Sequence, residues 1–215
     1  MPIICPTITA ETPEQYATQL KKVAGFAQRI QIDLTDGQFA EHKTVEPAEV
    51  WWPAGVAADI HLMYIDPLSA VERLVEHSPN LIIVHAEADT DFKKITKLCH
   101  QAEVGLGIAL LPDTSAEEAR PLIEPAEHVL IFSGNLGYQG GSRADLELIK
   151  KIEFIKSRRP EIEIGWDGGI NDQNVSILSA GGVDVLNVGG FIQNSPDPER
   201  TFKALQRIAD ETGTT

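Results

Sequence analysis

The feature that most constrains this chain is a regular alternation of short apolar runs with longer amphipathic segments. Eight apolar runs divide the 215 residues into units of about 27 residues each, the size of one strand plus one helix. The runs are Ile3–Cys5, Ile30–Leu34, Ala58–Met63, Leu81–His85, Val104–Leu110, His128–Phe132, Ile162–Asp167 and Val183–Val188. Strand and helix alternating at this spacing predict a parallel sheet with helical crossovers.

The segments between the runs have the period of amphipathic helices. Helices are expected over Pro13–Ala27, Pro67–His77, Asp91–Gln101, Ala144–Ser157 and Pro198–Glu211, with shorter ones over Pro47–Trp52 and Asn174–Ser179. An open doubly wound sheet is the competing architecture, but eight units in this length favour a closed (β/α)₈ barrel. Because no linker or composition break divides the chain, one domain over residues 1–215 is predicted.

Charge and composition narrow the class of partner. The chain has 32 acidic and 18 basic residues, a formal charge of −14, which disfavours nucleic acid and anionic membranes as partners. The N-terminus lacks a basic region followed by an apolar run, and no long apolar stretch follows it, so a cytoplasmic location is expected. Cys5 and Cys99 are too few for a disulfide framework. A small anion remains compatible, since backbone N–H groups can bind it locally.

Polar residues lie at the predicted strand ends, where barrels carry their active sites. In RIQIDLTDGQF the strand period of two turns Gln31 and Asp33 toward the interior. The third run ends in DIHLMY, with His61 and Met63 on one face, and the seventh ends at Asp167. An unpaired carboxylate inside an apolar barrel is costly, so inward aspartates need a partner or a function. We therefore predict that two carboxylates and an imidazole converge at the barrel mouth.

Two glycine pairs, Gly168 with Gly169 and Gly189 with Gly190, follow the last two predicted strands. Because glycine has no side chain, these pairs allow backbone N–H groups to approach a phosphate closely. Phosphate sites of barrels commonly form at this position. Tight packing of strand against helix is the alternative interpretation.

Other side chains have structural interpretations. His85 is interpreted as a hydrogen-bonded core histidine, and Phe132 as pocket lining or core. Trp51 and Trp52 precede Pro53 in a predicted short helix and suggest an exposed aromatic ledge, used for packing or for contact in a homo-oligomer. The remaining histidines are assigned to the surface or to loops: His42, His77, His100 and His128.

Taken in order, these motifs resemble the ribulose-phosphate 3-epimerase family along nearly the whole chain. The family's P-S-I-L-S-A is resembled by PTITA at Pro6–Ala10, its H-x-D-x-M-D-G-x-F by QIDLTDGQF at Gln31–Phe39, and its H-L-M is intact at His61–Met63. Its V-H-x-E, G-x-A-L-N-P-x-T, D-G-G-I and G-S-x-I-F are matched fully or approximately at Val84–Glu87, Gly107–Thr114, Asp167–Ile170 and Gly189–Ile192.

The resemblance implies epimerisation of a ketose phosphate, with D-ribulose 5-phosphate as the leading substrate. A proton next to the ketone is removed, an enediolate forms, and a second acid reprotonates the opposite face. Asp33 and Asp167 match the acid and base, which in the family also bind a divalent metal with two histidines, one matched by His61. The substrate-binding positions implied are Thr7, His61, Met63, Gly140, Gly141, Gly168, Gly169, Gly189 and Gly190.

The chain departs from the family pattern at several positions. Gln31 replaces the second metal histidine, and an amide oxygen is a poorer ligand than imidazole for Zn²⁺ or Fe²⁺, although an oxygen-rich set suits Mn²⁺ or Mg²⁺. A changed metal or none therefore stays open. Thr35 and Phe132 replace two pocket methionines, and the loop Leu136–Ser142 reads LGYQGGS in place of P-G-F-G-G-Q.

These departures keep an alternative open: a divergent sugar-phosphate-binding protein, or another isomerase, aldolase or decarboxylase of the ribulose-phosphate-binding barrels. A decarboxylase of that group would carry a D-x-K-x-x-D motif at a strand end. Neither the segment beginning at Asp33 nor the one beginning at Asp59 contains the lysine, which disfavours the decarboxylase.

Overall fold

The computed structural model describes residues 1–212, in which eight parallel strands close into a barrel in chain order. The strands are β1 (Ile3–Thr9), β2 (Arg29–Thr35), β3 (Ala57–Met63), β4 (Leu81–His85), β5 (Gly105–Leu110), β6 (His128–Phe132), β7 (Glu163–Asp167) and β8 (Val185–Val188). The predicted (β/α)₈ barrel is confirmed, and β4 and β6 have the predicted bounds.

Helices cover the outer face of the barrel. They are α1 (Pro13–Val23), α2 (Leu68–Leu74), α3 (Phe92–Gln101), α4 (Arg120–Ile123), α5 (Ile149–Lys156), α6 (Val175–Ala180), α7 (Gly190–Gln193) and α8 (Pro198–Thr212), with 3₁₀ turns at Pro47–Glu49, Val75–His77 and Leu146–Leu148. The main core lies between this layer and the outward strand residues, such as Ile4 and Ile8 of β1. Within residues 1–212 every helix is too short or too polar to span a membrane.

The barrel interior has three levels. A small apolar cluster of Leu81, Ile83, Ala109 and Leu130 fills its middle. Polar side chains occupy the strand N-termini below this cluster and the strand C-termini above it. The apolar cluster therefore separates two polar groups, of which only the upper one lies where barrels carry active sites.

Strand β1 extends four residues beyond its predicted end at Cys5. Its register with β2 pairs Thr7 with Gln31 and Thr9 with Asp33. The inward face of this extension is formed by threonines, so apolar periodicity could not reveal it. The extension brings both threonines to the barrel mouth. Strand β8 starts two residues later than predicted, at Val185.

Several helix predictions are wrong in extent. Helix α1 stops at Val23 and not at Ala27, where glycine at position 25 disfavours continuation. The segment predicted from Ala144 opens with a 3₁₀ turn, and α5 begins only at Ile149. Asp91 is an N-cap, because its carboxylate accepts from the Lys94 N–H. Helices α4 and α7, of four residues each, are too short to show a period.

The predicted helix Pro47–Trp52 is also wrong, because only Pro47–Glu49 is helical. The Glu46 and Glu49 side chains form a capping box that closes this single turn. Trp51 is 54% exposed and Trp52 is half-buried, so the predicted aromatic ledge is reduced to Trp51.

A charged cluster fills the N-terminal end of the barrel interior. The Arg29 guanidinium donates to both Glu163 carboxylate oxygens at 2.8 and 2.7 Å and to Asp59 at 2.6 Å. Asn80 donates to the other Asp59 oxygen at 2.6 Å, and His128 Nδ1 lies 2.7 Å from Glu163. The prediction of a surface or loop position for His128 is therefore wrong, since its side chain is buried in this cluster.

Candidate active site

Two carboxylates meet at the C-terminal mouth of the barrel, bridged by one amide. Gln31 Nε2 donates to Asp33 Oδ1 at 2.8 Å and to Asp167 Oδ2 at 2.6 Å. The Thr9 hydroxyl donates to the second Asp33 oxygen at 2.7 Å. His61 Nδ1 lies 3.1 Å from Asp33 Oδ1 and 3.7 Å from Asp167 Oδ2. The predicted convergence of two carboxylates and an imidazole is confirmed.

The site has an excess of negative charge. Burial, together with the charge of Asp33, raises the pKa of Asp167 to about 7, while the hydrogen bond from Gln31 opposes this shift. The pocket beside these carboxylates has no lysine or arginine in its lining within residues 1–212. A bound cation or a proton is therefore the means by which the pair can be neutralised.

A chain of hydrogen bonds leads away from the carboxylates through two histidines. His61 Nε2 lies 2.9 Å from His85 Nε2, and His85 Nδ1 lies 3.2 Å from Glu87. Glu87 also accepts from the Leu111 N–H at 3.0 Å and from the Thr114 hydroxyl. Burial raises the pKa of Glu87, but the hydrogen bonds from His85 and Thr114 outweigh it and lower the pKa overall. Glu87 is therefore an ionised acceptor.

This chain determines which ring nitrogens carry protons. Burial lowers the pKa of His85 to about 4, so this ring is neutral at pH 7. With ionised Glu87 as acceptor, His85 carries its proton on Nδ1, and its Nε2 accepts from His61 Nε2–H. A neutral His61 then turns the lone pair of Nδ1 toward Asp33 and Asp167. The predicted core role of His85 is confirmed, and it also sets the orientation of His61.

Asp33, His61 and Asp167 form a potential metal site, because their ligand atoms lie within 4.8 Å of one another. Two carboxylates and an imidazole lone pair are donors that divalent cations accept, so these residues fit such an ion. Gln31 turns its NH₂ toward the carboxylates, and its buried Oε1 has no partner within the described residues. Rotating this amide by half a turn would present the oxygen as a fourth ligand.

A pocket of about 250 Å³ opens above the carboxylates. All but one of the predicted substrate-binding residues line it: Thr7, Met63, Gly140, Gly141, Gly168, Gly169, Gly189 and Gly190. His61 lies beneath the pocket and is fully buried. Phe132 also lines the pocket, as predicted, and its ring centroid lies 5.7 Å from that of His61.

The glycines of this pocket are required by space as well as by backbone angle. A Cβ at Gly168 or Gly169 would lie 2.2 and 2.0 Å from backbone nitrogens of the neighbouring loop, and both residues have positive φ. A Cβ at Gly189 would lie 2.6 Å from the Thr7 hydroxyl oxygen. Within residues 1–212 none of the N–H groups of Gly168, Gly169, Gly189 and Gly190 donates to a protein acceptor. Unpaired donors therefore surround one part of the pocket.

The loop after β6 covers the other side of this pocket. Gln139 Nε2 donates to the Thr7 carbonyl at 2.9 Å, and the Tyr138 ring lies edge-on to His42 with centroids 4.1 Å apart. Gly140 packs its backbone against Gly190, where an added Cβ would lie 3.3 Å from Gly190 Cα. The loop that departs from the family pattern thus contacts the glycine-rich part of the pocket directly.

Three site residues were not predicted: Thr9, Glu87 and Asn187. Thr9 follows Thr7 at the strand period of two, a signal hidden by the early predicted end of β1. Glu87 was noted only as part of a motif. Asn187 interrupts the apolar run VDVLNV, and a polar residue two positions before a glycine pair on the last strand was a readable signal.

Fold and site together define a class: a (β/α)₈ barrel with two carboxylates and an imidazole at its C-terminal mouth, beside a glycine-lined pocket. The model of the ribulose-phosphate 3 epimerase family matches residues 3–192. The chain therefore belongs to the ribulose-phosphate 3-epimerase family, which places it among the epimerases, in the isomerase class of enzymes.

Relatives agree with this placement. A ribulose-phosphate 3-epimerase of Helicobacter pylori is 29% identical over 211 residues, covering 95% of this chain and 97% of the relative. One from Schizosaccharomyces pombe is 26% identical, covering 82% and 80%. Among solved structures, 3-hexulose-6-phosphate synthase from Salmonella typhimurium has a TM-score of 0.74 at 15% identity, covering 98% and 99%. This last likeness concerns the fold alone.

Proposed function

We propose that this protein interconverts D-ribulose 5-phosphate and its C3 epimer by proton transfer between two aspartates. The observation that carries the proposal is the pair of carboxylates, Asp33 and Asp167, facing one pocket whose other part is lined by unpaired glycine N–H groups. Curated relatives of similar length named ribulose-phosphate 3-epimerase support the choice of substrate.

The reaction needs one base and one acid on opposite faces of the same carbon. One aspartate takes the proton from C3, the electron pair delocalises onto the C2 oxygen, and the other aspartate returns a proton to the opposite face. The two carboxyl groups exchange protonation states in each turnover. Strands β2 and β7 bring these side chains to the pocket from different parts of the barrel wall.

A divalent ion held by Asp33, His61 and Asp167 would supply positive charge to the developing enediolate oxygens. The protein's own contribution is to hold the ligands in place. Thr9 and Gln31 donate to Asp33, and the chain through His85 to Glu87 keeps the His61 Nδ1 lone pair directed at the site.

The phosphate would bind through neutral donors, because the pocket lining described here has no lysine or arginine. The N–H groups of Gly168, Gly169, Gly189 and Gly190 suit this role. A structural neighbour, KGPDC from Streptococcus mutans, was solved in complex with ribose-5-phosphate and has a TM-score of 0.70 at 11% identity. We expect Gly190→Asp to abolish binding of ribulose 5-phosphate, measured by calorimetry. Unchanged binding by a folded variant would place the phosphate elsewhere.

A binding protein without epimerase activity is the second candidate, and one observation favours it. The Gln31 NH₂ already bridges both carboxylates, which would hold them apart from the substrate if the amide did not move. Incubating the parent protein with ribulose 5-phosphate in D₂O separates the two. An epimerase converts it to the C3 epimer with deuterium at C3, whereas a binder leaves both hydrogen and configuration unchanged.

A further inference from the structure

Asn187 is a buried amide with no hydrogen-bond partner in the protein. Only 2% of the residue is exposed, and Oδ1 has no donor within residues 1–212. Leaving a buried carbonyl unpaired is unfavourable, and nearly all buried polar groups in proteins are hydrogen-bonded. Leucine has a similar volume and would fill an apolar strand position without this penalty. The amide therefore needs a partner that the protein itself does not supply.

The position of Asn187 indicates where that partner lies. In the sheet register Asn187 lies beside Asp167 of β7 and beside the buried thiol of Cys5 on β1. Gly189, with its unpaired N–H group, follows two residues later on the same face of the strand. Asn187 also lines the pocket that contains both Asp167 and Gly189. The amide thus faces the part of the pocket between the reacting carboxylate and the unpaired N–H donors.

We propose that Asn187 binds the substrate hydroxyl on the carbon between the reacting carbon and the phosphate-bearing carbon. This inference rests on the proposed function: with C3 at the aspartates and the phosphate on C5 at the glycines, the C4 hydroxyl lies opposite Asn187. An amide and a hydroxyl can each donate and accept, so they satisfy one another. Asn187 is then a specificity residue that selects ketose phosphates bearing a hydroxyl at this carbon.

The test compares ribulose 5-phosphate with its 4-deoxy analogue in the parent enzyme and in Asn187→Leu. In the parent we expect kcat/KM for the deoxy compound to be about 10–100-fold lower, because the amide is then left unpaired in both states. In Asn187→Leu this discrimination should shrink by about tenfold or more. The melting temperature of the variant should not fall, because leucine removes an unpaired buried carbonyl. Asn187→Ala serves the same comparison if the leucine variant does not fold.

Gln193→Leu is the matched control. Gln193 is also 2% exposed with an unpaired buried Oε1, but it does not line the pocket, so the discrimination should stay at the parental value. Unchanged discrimination in Asn187→Leu, with or without a lower melting temperature, would overturn the inference. A parent that fails to epimerise ribulose 5-phosphate would instead overturn the proposed function, so the two failures are distinguishable.

Discussion

The two ends of the barrel interior carry similar residue types with opposite charge balance. At the strand N-termini, Arg29 faces the carboxylates of both Asp59 and Glu163. At the C-termini, Asp33 and Asp167 are paired only with an amide and a histidine lone pair. Compensated charges stabilise the closed barrel, whereas uncompensated ones retain the capacity to bind a cation or move a proton. The difference separates a structural cluster from a catalytic one more clearly than burial does.

The largest expected effect comes from neutralising the upper end. Asp33→Asn and Asp167→Asn should each lower kcat/KM for epimerisation by at least about 10²–10⁴-fold, because each removes one proton-transfer group. Stability should be retained, since each substitution relieves repulsion between two nearby carboxylates. Steady-state kinetics and thermal melts of the same preparations test both halves. A large loss of stability would show that the upper cluster is structural after all.

Glu87→Gln tests whether the hydrogen-bond chain orients His61. The introduced amide can donate to His85, which no longer fixes the proton on His85 Nδ1. We expect affinity for Mn²⁺ to fall about 10–100-fold, as measured by calorimetry, with a changed ¹⁵N shift at His61 Nδ1. Glu118→Gln makes the same charge change at an exposed position and should leave Mn²⁺ affinity at the parental value. Equal affinities in the two variants would mean that Glu87 does not act through His85.

Glu163→Gln probes the compensated lower end. Although burial raises the pKa of Glu163, hydrogen bonds from Arg29 and His128 hold it well below its ordinary value of 4.5. A depressed carboxyl pKa stabilises the folded state above that ordinary value, and this contribution is lost as the pH falls. We expect the variant to lose about 1–2 kcal/mol at pH 7, an amount reduced from that of a buried pair because Glu163 is partly exposed.

The difference in unfolding free energy between the parent and Glu163→Gln should shrink from about pH 5 to pH 3. Burial raises the pKa of Asp59 despite Arg29, which acts in the opposite sense, so the comparison between variants isolates Glu163. Glu161→Gln, at an exposed position two residues away, should show neither the loss nor the pH dependence. Loss of epimerase activity in Glu163→Gln at unchanged stability would break the separation between the two ends.

The two ends also differ in how far the sequence revealed them. Asp33, His61 and Asp167 were readable because each is a polar residue at the end of an apolar run, and strand C-termini of a parallel barrel meet at one mouth. His128 begins its strand, and without its partners in space it could not be distinguished from a loop histidine. Arg29, one of its neighbours, lies just outside the predicted runs. Long-range pairing is invisible to local periodicity, which is also why the end of β1 and the His61–His85 contact were missed.

The central claim is that Asp33 and Asp167 serve opposite faces of one carbon, and hydrogen exchange in D₂O tests it most directly. Asp33→Asn and Asp167→Asn are each incubated with ribulose 5-phosphate and with its C3 epimer, and loss of the C3 hydrogen signal is followed by NMR. We expect each variant to exchange the hydrogen of only one epimer, a different one for each variant, with little inversion of either. Parental inversion by either variant, or exchange of the same epimer by both, would contradict the claim.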